Sequence, residues 1–115
     1  MFTIETAREG TATIVRVKGE ATIAHAKEMH DASISAVMDS DTVIIDTDGV
    51  TEADLSFLQF IDATHKLLLK DKKSIGFYHE SISPAVKLAA QKTGYFTQHR
   101  CVACTGKCLM HALIA

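Results

Sequence analysis

Between Thr42 and Lys66 the chain reads TVIIDTDGVTEADLSFLQFIDATHK, and this stretch restricts the fold more than any other. Val43, Ile44 and Ile45 form a continuous apolar run, which suits a central strand buried on both faces. The run ends in Asp46, and Asp48-Gly49-Val50 reads as a turn. A helical pattern follows within a few residues and spans roughly Leu55 to Lys70. Leu58, Ile61 and Leu68 form its core stripe, and Phe57, Phe60, Thr64 and Leu67 widen the apolar arc. Gln59, Asp62 and Lys66 make the opposing polar stripe. Asp54 is placed to cap this helix, with Thr51 a rival start. A strand that passes almost directly into an amphipathic helix is the building unit of an α/β domain.

The flanking segments fit the same architecture. Phe2, Ile4 and Thr6 alternate with Thr3 and Glu5, a half-buried strand pattern, and Glu9-Gly10-Thr11 is a turn. A second strand runs from Ala12 to Lys18, with Val15 and Val17 facing one way and Arg16 and Lys18 the other, so the two strands form an antiparallel pair. Gly19 and Glu20 close that strand. Thr22 is the expected N-cap of a helix reaching about Met38, with Ile23, Ala26, Met29, Ser33 and Val37 at helical spacing. Asp71-Lys72-Lys73 ends the helix begun at Leu55, and Ile75 to Tyr78 is a short strand. Ser83 as cap and Pro84 at the first helical position open a third helix, with Ile82, Val86, Ala89 and Ala90 on its apolar side and Gly94 as its stop. The pattern predicts one α/β domain with a mixed sheet and helices mainly on one face.

Composition excludes several classes of function. At 115 residues the chain is long enough for one core. Its formal net charge is −2 and its Lys and Arg are scattered, so no basic stripe for nucleic acid is present. No apolar run approaches the ~20 residues of a membrane span. MFTIETAREG lacks the charged start and apolar core of a signal peptide, so a cytoplasmic protein without membrane insertion is expected. Nothing in the sequence decides between a monomer and a dimer.

Ser56 stands in the first turn of the second predicted helix, where unsatisfied N–H groups and the helix dipole favour an anion. A phosphoryl group there would add a charge of about −1.5 to −2. The plain alternative is a serine that bonds nearby backbone. Asp46 and Asp54 could form an acid/base pair. Capping by Asp54 and loop-fixing by Asp46 account for them more simply, and no nucleophile motif or phosphate loop accompanies them, so no enzyme is expected. His25, His30, His65 and His79 are spread along the chain without a shared face.

The end of the chain carries Cys101, Cys104 and Cys108 in a C-x2-C-x3-C pattern, flanked by His99 and His111. An odd number of cysteines in a reducing compartment points to free thiols or metal ligands rather than a disulfide framework. Three thiolates with one histidine could hold zinc, although structural sites usually draw ligands from two separated segments. Buried free cysteines docked by Leu109, Met110, Leu113 and Ile114 are the plain alternative. Thiols beside Arg100 or Lys107 also suit redox sensing. No cofactor is required by the remaining sequence.

From Thr13 to Phe96 the chain resembles a STAS domain, the fold of bacterial anti-sigma factor antagonists. The resemblance rests on Gly19-Glu20-Ala21-Thr22-Ile23 after a strand, on Val43-Ile44-Ile45-Asp46-Thr47 followed by Val50 and Ala53-Asp54-Leu55-Ser56-Phe57-Leu58-Gln59, and on Thr93-Gly94-Tyr95-Phe96. In that family the segment after the central strand commonly reads Asp-Ser-Ser-Gly-Leu, and in the antagonist branch its second serine is the one a partner kinase phosphorylates. Aligned on Asp54 and Leu58, Ser56 takes that serine's place, while Leu55 replaces the first serine and Phe57 the glycine. The resemblance implies a STAS-like domain over residues 1–98, with residues 99–115 a cysteine-containing extension packed on it. It implies a non-enzymatic regulator of signal transduction or transcription, whose partner is an anti-sigma factor, a serine kinase or another two-component protein. Ser56 would be the phosphoacceptor, and Asp46, Val50, Glu52, Asp54, Leu55 and Phe57 would shape the docking surface. The bulk of Phe57 beside the acceptor would hinder a kinase or alter which partner docks. Two other functions fit: an accessory STAS subunit of a transport or chemotaxis assembly, and a thiol or metal sensor built on the cysteine cluster.

Overall fold

The computed structural model describes residues 1–78 and 82–93. The chain runs β1 (Thr3–Glu9), β2 (Ala12–Ala21), a 3-10 turn (Ile23–His25), α1 (Ala26–Asp39), β3 (Thr42–Ala53), α2 (Leu55–Lys70), β4 (Ser74–Phe77) and α3 (Pro84–Thr93). The four strands form one sheet in the order β1-β2-β3-β4. β1 and β2 are antiparallel, with Ile4 opposite Val17; β2–β3 and β3–β4 are parallel. The mixed sheet and single α/β domain expected above are what the chain forms.

Val15 and Val17 of β2, Val43 and Ile45 of β3 and Phe77 of β4 meet Met29 and Val37 of α1, Phe57, Leu58, Ile61 and Leu68 of α2 and Val86 and Ala89 of α3 in one buried cluster. Every second strand residue points to the same face, so all three helices cover one side of the sheet. Ile14, out of phase with Val15, is buried apart from that cluster.

Two expected boundaries are corrected. Asp48-Gly49-Val50 does not turn: β3 continues through it to Ala53. The β2–β3 register slips between Arg16 and Lys18 and again between Gly19 and Glu20, and each slip sets extra residues of β3 against β2. These are bulges, which absorb a turn-like sequence within a strand and bend it. Gly49 is needed there because a Cβ would lie 2.7 Å from Cγ of Lys18. Likewise Gly19 and Glu20 do not end β2, which extends to Ala21. Gly19 has φ +84° and its missing side chain admits the backbone of Met1 and Phe2 against β2.

Thr22 makes no side-chain cap; its carbonyl accepts the His25 N–H at 2.9 Å, and a 3-10 turn precedes α1. Ile23 therefore falls outside the α1 stripe and is 70 % exposed. α2 matches its expected span, but its polar stripe is corrected at Asp62, which is buried with its carboxylate 3.1 Å from Lys66 Nζ. His65 is buried one position before Lys66.

At α3, Ser83 works as expected. Its Oγ accepts the Ala85 N–H at 3.2 Å and donates to the Val50 carbonyl at 2.7 Å, while its own N–H donates to Thr47 Oγ1 at 3.0 Å. The helix start is thereby fastened to β3. Gly94, the boundary at residue 98, His79, His99, His111 and the three cysteines lie outside the described residues.

Candidate functional site

The site forms where β3 hands over to α2. Asp54 has extended backbone (φ −129°, ψ −171°), and its carboxylate Oδ1 accepts the Ser56 N–H at 2.9 Å. This is an aspartate N-cap, which satisfies one of the orphan donors of the first turn. The Asp54 carbonyl accepts a further orphan donor, Phe57 N–H, at 3.1 Å, and the Leu58 N–H at 3.5 Å in the first regular bond of the helix. Asp54 Oδ2 accepts the Ile23 N–H at 3.0 Å, across thirty-one positions of sequence. One carboxylate thus joins the start of α2 to the 3-10 turn before α1. Thr51, the rival cap, lies inside β3.

Ser56 is half-buried in the first turn of α2. It lines a cleft of about 200 Å³ between α1 and α2, together with Ile23, Ala26, His30, Gln59 and Phe60. The small side chains of Ala26 and Ser33 expected on α1 make room for this cleft. His25 caps α1 by position, lies 3.3 Å from Glu28 and stacks on Phe2 with ring centroids 4.2 Å apart.

The expected docking residues divide by exposure. Glu52 is exposed, Leu55 is 41 % exposed and Asp54 is half-buried. Phe57 is fully buried, its ring 5.6 Å from that of Phe60, and Val50 belongs to the same core. Asp46 is also buried: Oδ2 accepts from Arg16 Nε at 2.9 Å and Oδ1 from the Asp48 N–H at 3.1 Å. That hydrogen bond, together with the carboxylate charge, holds the Arg16 guanidinium above its ordinary pKa. Phe57, Val50 and Asp46 are therefore corrected: none presents a contact surface. The ring at 57 is turned into the core and does not stand over the acceptor hydroxyl. Asp46 and Asp54 serve two separate networks and share no acid/base site.

Ile23 and His30 bring the other wall of the cleft, whereas the sequence places Ile23 in a helical stripe and His30 among scattered histidines. The only signal available was the Gly19 to Ile23 motif, since the bond from Ile23 to Asp54 is set by tertiary packing. On α2, burial holds the His65 imidazole below its ordinary pKa, opposed by the charge of Asp62. Among the described residues no group of three or more His, Cys, Asp or Glu is gathered to hold a metal, and no helix is long and apolar enough to cross a membrane.

A family model described as "Mlab, STAS domain" matches residues 4–95. Among solved structures, an anti-sigma factor antagonist from Mycobacterium paratuberculosis aligns with TM-score 0.67 at 21% identity, over 98% of this chain and 92% of that one. The anti-sigma factor antagonist SpoIIAA in its unphosphorylated form aligns with TM-score 0.67 at 15% identity, over 80% and 81%. The Bacillus cell fate determinant SpoIIAA in its phosphorylated form aligns with TM-score 0.63 at 16% identity, over 82% and 84%. These likenesses establish a shared fold. No curated protein matches the chain in sequence.

Proposed function

The chain belongs to the STAS domain family, and from that premise we propose that it is a non-enzymatic, cytoplasmic docking module switched by phosphorylation of Ser56. The observation that carries the proposal is that Ser56, half-buried in the first turn of α2, lines the α1–α2 cleft. Unmodified, the helix start and its exposed neighbours Leu55 and Glu52 offer a mixed apolar and acidic surface to a partner protein. The partner class we propose is an anti-sigma factor with serine kinase activity, or another two-component regulator. In the modifying step Ser56 Oγ bonds to the γ-phosphorus of a nucleoside triphosphate held by that kinase. The bond to the departing nucleoside diphosphate breaks, and the hydroxyl proton passes to a base of the kinase. The product is a dianion next to Asp54, which repels acidic partner groups and resists the desolvation that docking demands.

The test is titration calorimetry against the kinase or regulator that copurifies with the chain from its own host, with the site of modification read by mass spectrometry. Ser56→Ala should bind within about twofold of the unaltered chain, and Ser56→Asp about tenfold or more weakly, a difference of about 1.4 kcal/mol. Equal affinities for the two variants would remove Ser56 as a switch.

A second reading, a permanent accessory subunit of a transport or chemotaxis assembly, is favoured by the apolar exposure of Ile23 and Leu55 on either side of Asp54. In that case Ser56 stays unmodified in the host and both variants copurify with the same subunit.

A further inference from the structure

We infer that Asp54 is a latch between α2 and the 3-10 turn, and that a phosphoryl group on Ser56 opens it; the inference rests on the reading of Ser56 as phosphoacceptor. Three N–H donors at the start of α2 are already committed. Ser56 N–H goes to the Asp54 carboxylate, and Phe57 and Leu58 N–H go to the Asp54 carbonyl. A phosphoryl group on the adjacent hydroxyl seeks the same N–H groups and the same positive end of the helix dipole. Two anions cannot share that position without strong repulsion, and the phosphoryl group carries the larger charge. It therefore displaces the Asp54 carboxylate.

The displaced carboxylate is the acceptor for Ile23 N–H. Its departure leaves the 3-10 turn without its tie to α2. That turn carries Ile23, one wall of the cleft, and His25, whose ring stacks on Phe2 at an interplanar angle of 6°. The change at Ser56 then reaches the start of the chain through four consecutive contacts: Ser56 to Asp54, Asp54 to Ile23, along the turn to His25, and His25 to Phe2. Phosphorylation so acts on the shape of the docking surface as well as on its charge. The coupling is between discrete bonded and unbonded arrangements, which is what lets a local event be read at a distance. Asp54 acts as a positioning residue: it touches no substrate and works through Ser56 and Ile23.

The Ile23 amide reports the latch directly. Its side chain is largely exposed, so the bond to Asp54 is the main protection that its N–H has. The experiment is amide hydrogen exchange by NMR on the full chain, with and without phosphoserine installed at position 56 during translation, in the absence of any partner. Exchange at Ile23 should accelerate about tenfold or more, with shifts at the rings of Phe2 and His25, while the Ile45 amide in the sheet is unchanged. Unmodified Asp54→Ala should reproduce the acceleration, and phosphoserine in that background should add less than about twofold. Should Asp54→Ala fail to fold, Asp54→Asn replaces it: asparagine still caps a helix but offers one acceptor oxygen for two N–H groups, so the Ile23 bond is lost and phosphoserine again adds little. The latch is overturned if phosphoserine leaves Ile23 exchange unchanged, if it accelerates Ile23 equally with and without the Asp54 carboxylate, or if Ile45 accelerates in parallel. Failure of the functional reading is separate: it appears as equal partner affinities for Ser56→Ala and Ser56→Asp, whatever Ile23 does.

Discussion

Replacing Phe57 with alanine separates a core role from a docking role at the position where the family commonly has glycine. The Phe57 side chain is 0 % exposed and packs in the cluster that joins α2 to the sheet, with the Phe60 ring tilted 31° to it. Phe→Ala at such a site removes the transfer free energy of the ring and leaves a cavity, together about 3–5 kcal/mol. The pairing with Phe60 contributes about 0.5–1.5 kcal/mol of its own in favourable geometries. Against a domain stability of about 5–15 kcal/mol, this is a large fraction. In urea, with a slope of about 1–3 kcal/mol per M, the unfolding midpoint should fall by about 1 M or more at unchanged slope. Leu55→Ala is the control. Its side chain is 41 % exposed, and substitutions at exposed sites usually stay within about 0.5 kcal/mol. If Phe57→Ala shifts the midpoint no further than Leu55→Ala does, the ring is not the core anchor described above, and its removal from the docking surface is wrong.

Further predictions address the two ends of the same core. Because burial lowers the His65 pKa, below about pH 6.5 the unfolded chain binds a proton that the folded chain refuses. That contribution to stability is complete above pH 6.5 and is lost as pH falls through the lowered folded value. His65→Gln should flatten the decline in the thermal midpoint between pH 7.5 and 5.5; an unaltered slope would show that the imidazole is accessible to protons. Ser83→Ala removes the cap of α3 and the donor to the Val50 carbonyl. A loss of about 1–3 kcal/mol in urea unfolding is expected, with Ser83→Thr retaining part of it. A neutral Ser83→Ala would show that α3 is held without this tie.

The sequence disclosed the elements whose pattern is local. The apolar run from Val43 to Ile45, the helical spacing from Leu55 to Lys70 and the Ser83-Pro84 start are set by neighbours within a turn or a strand, and the structure keeps all three. Asp54 was legible as a cap for the same reason. Features decided by register were not. Asp48-Gly49 has the composition of a turn, yet pairing with β2 holds it as a bulge. Asp62 lies on a polar stripe by spacing, but its surroundings bury it. The expected docking residues were the least legible, since adjacency to Ser56 in sequence says nothing of direction: Leu55 points out and Phe57 points in, one step to either side of the serine. Ile23 and His30 reach the site from a distant part of the chain, and no periodicity announces that.

β3 is twelve residues long and β4 only four, so β4 pairs with the first part of β3, from Thr42 to Ile45. Beyond Ile45 that flank of β3 would be a natural place for a foreign extended peptide to add itself as a strand. Ser83 already occupies the Val50 carbonyl and Thr47 Oγ1 there, and α3 follows directly behind it. An extended peptide that paired as far as Val50 would therefore meet the tie that starts α3. The hydroxyl that starts a helix thus also closes part of an open strand flank.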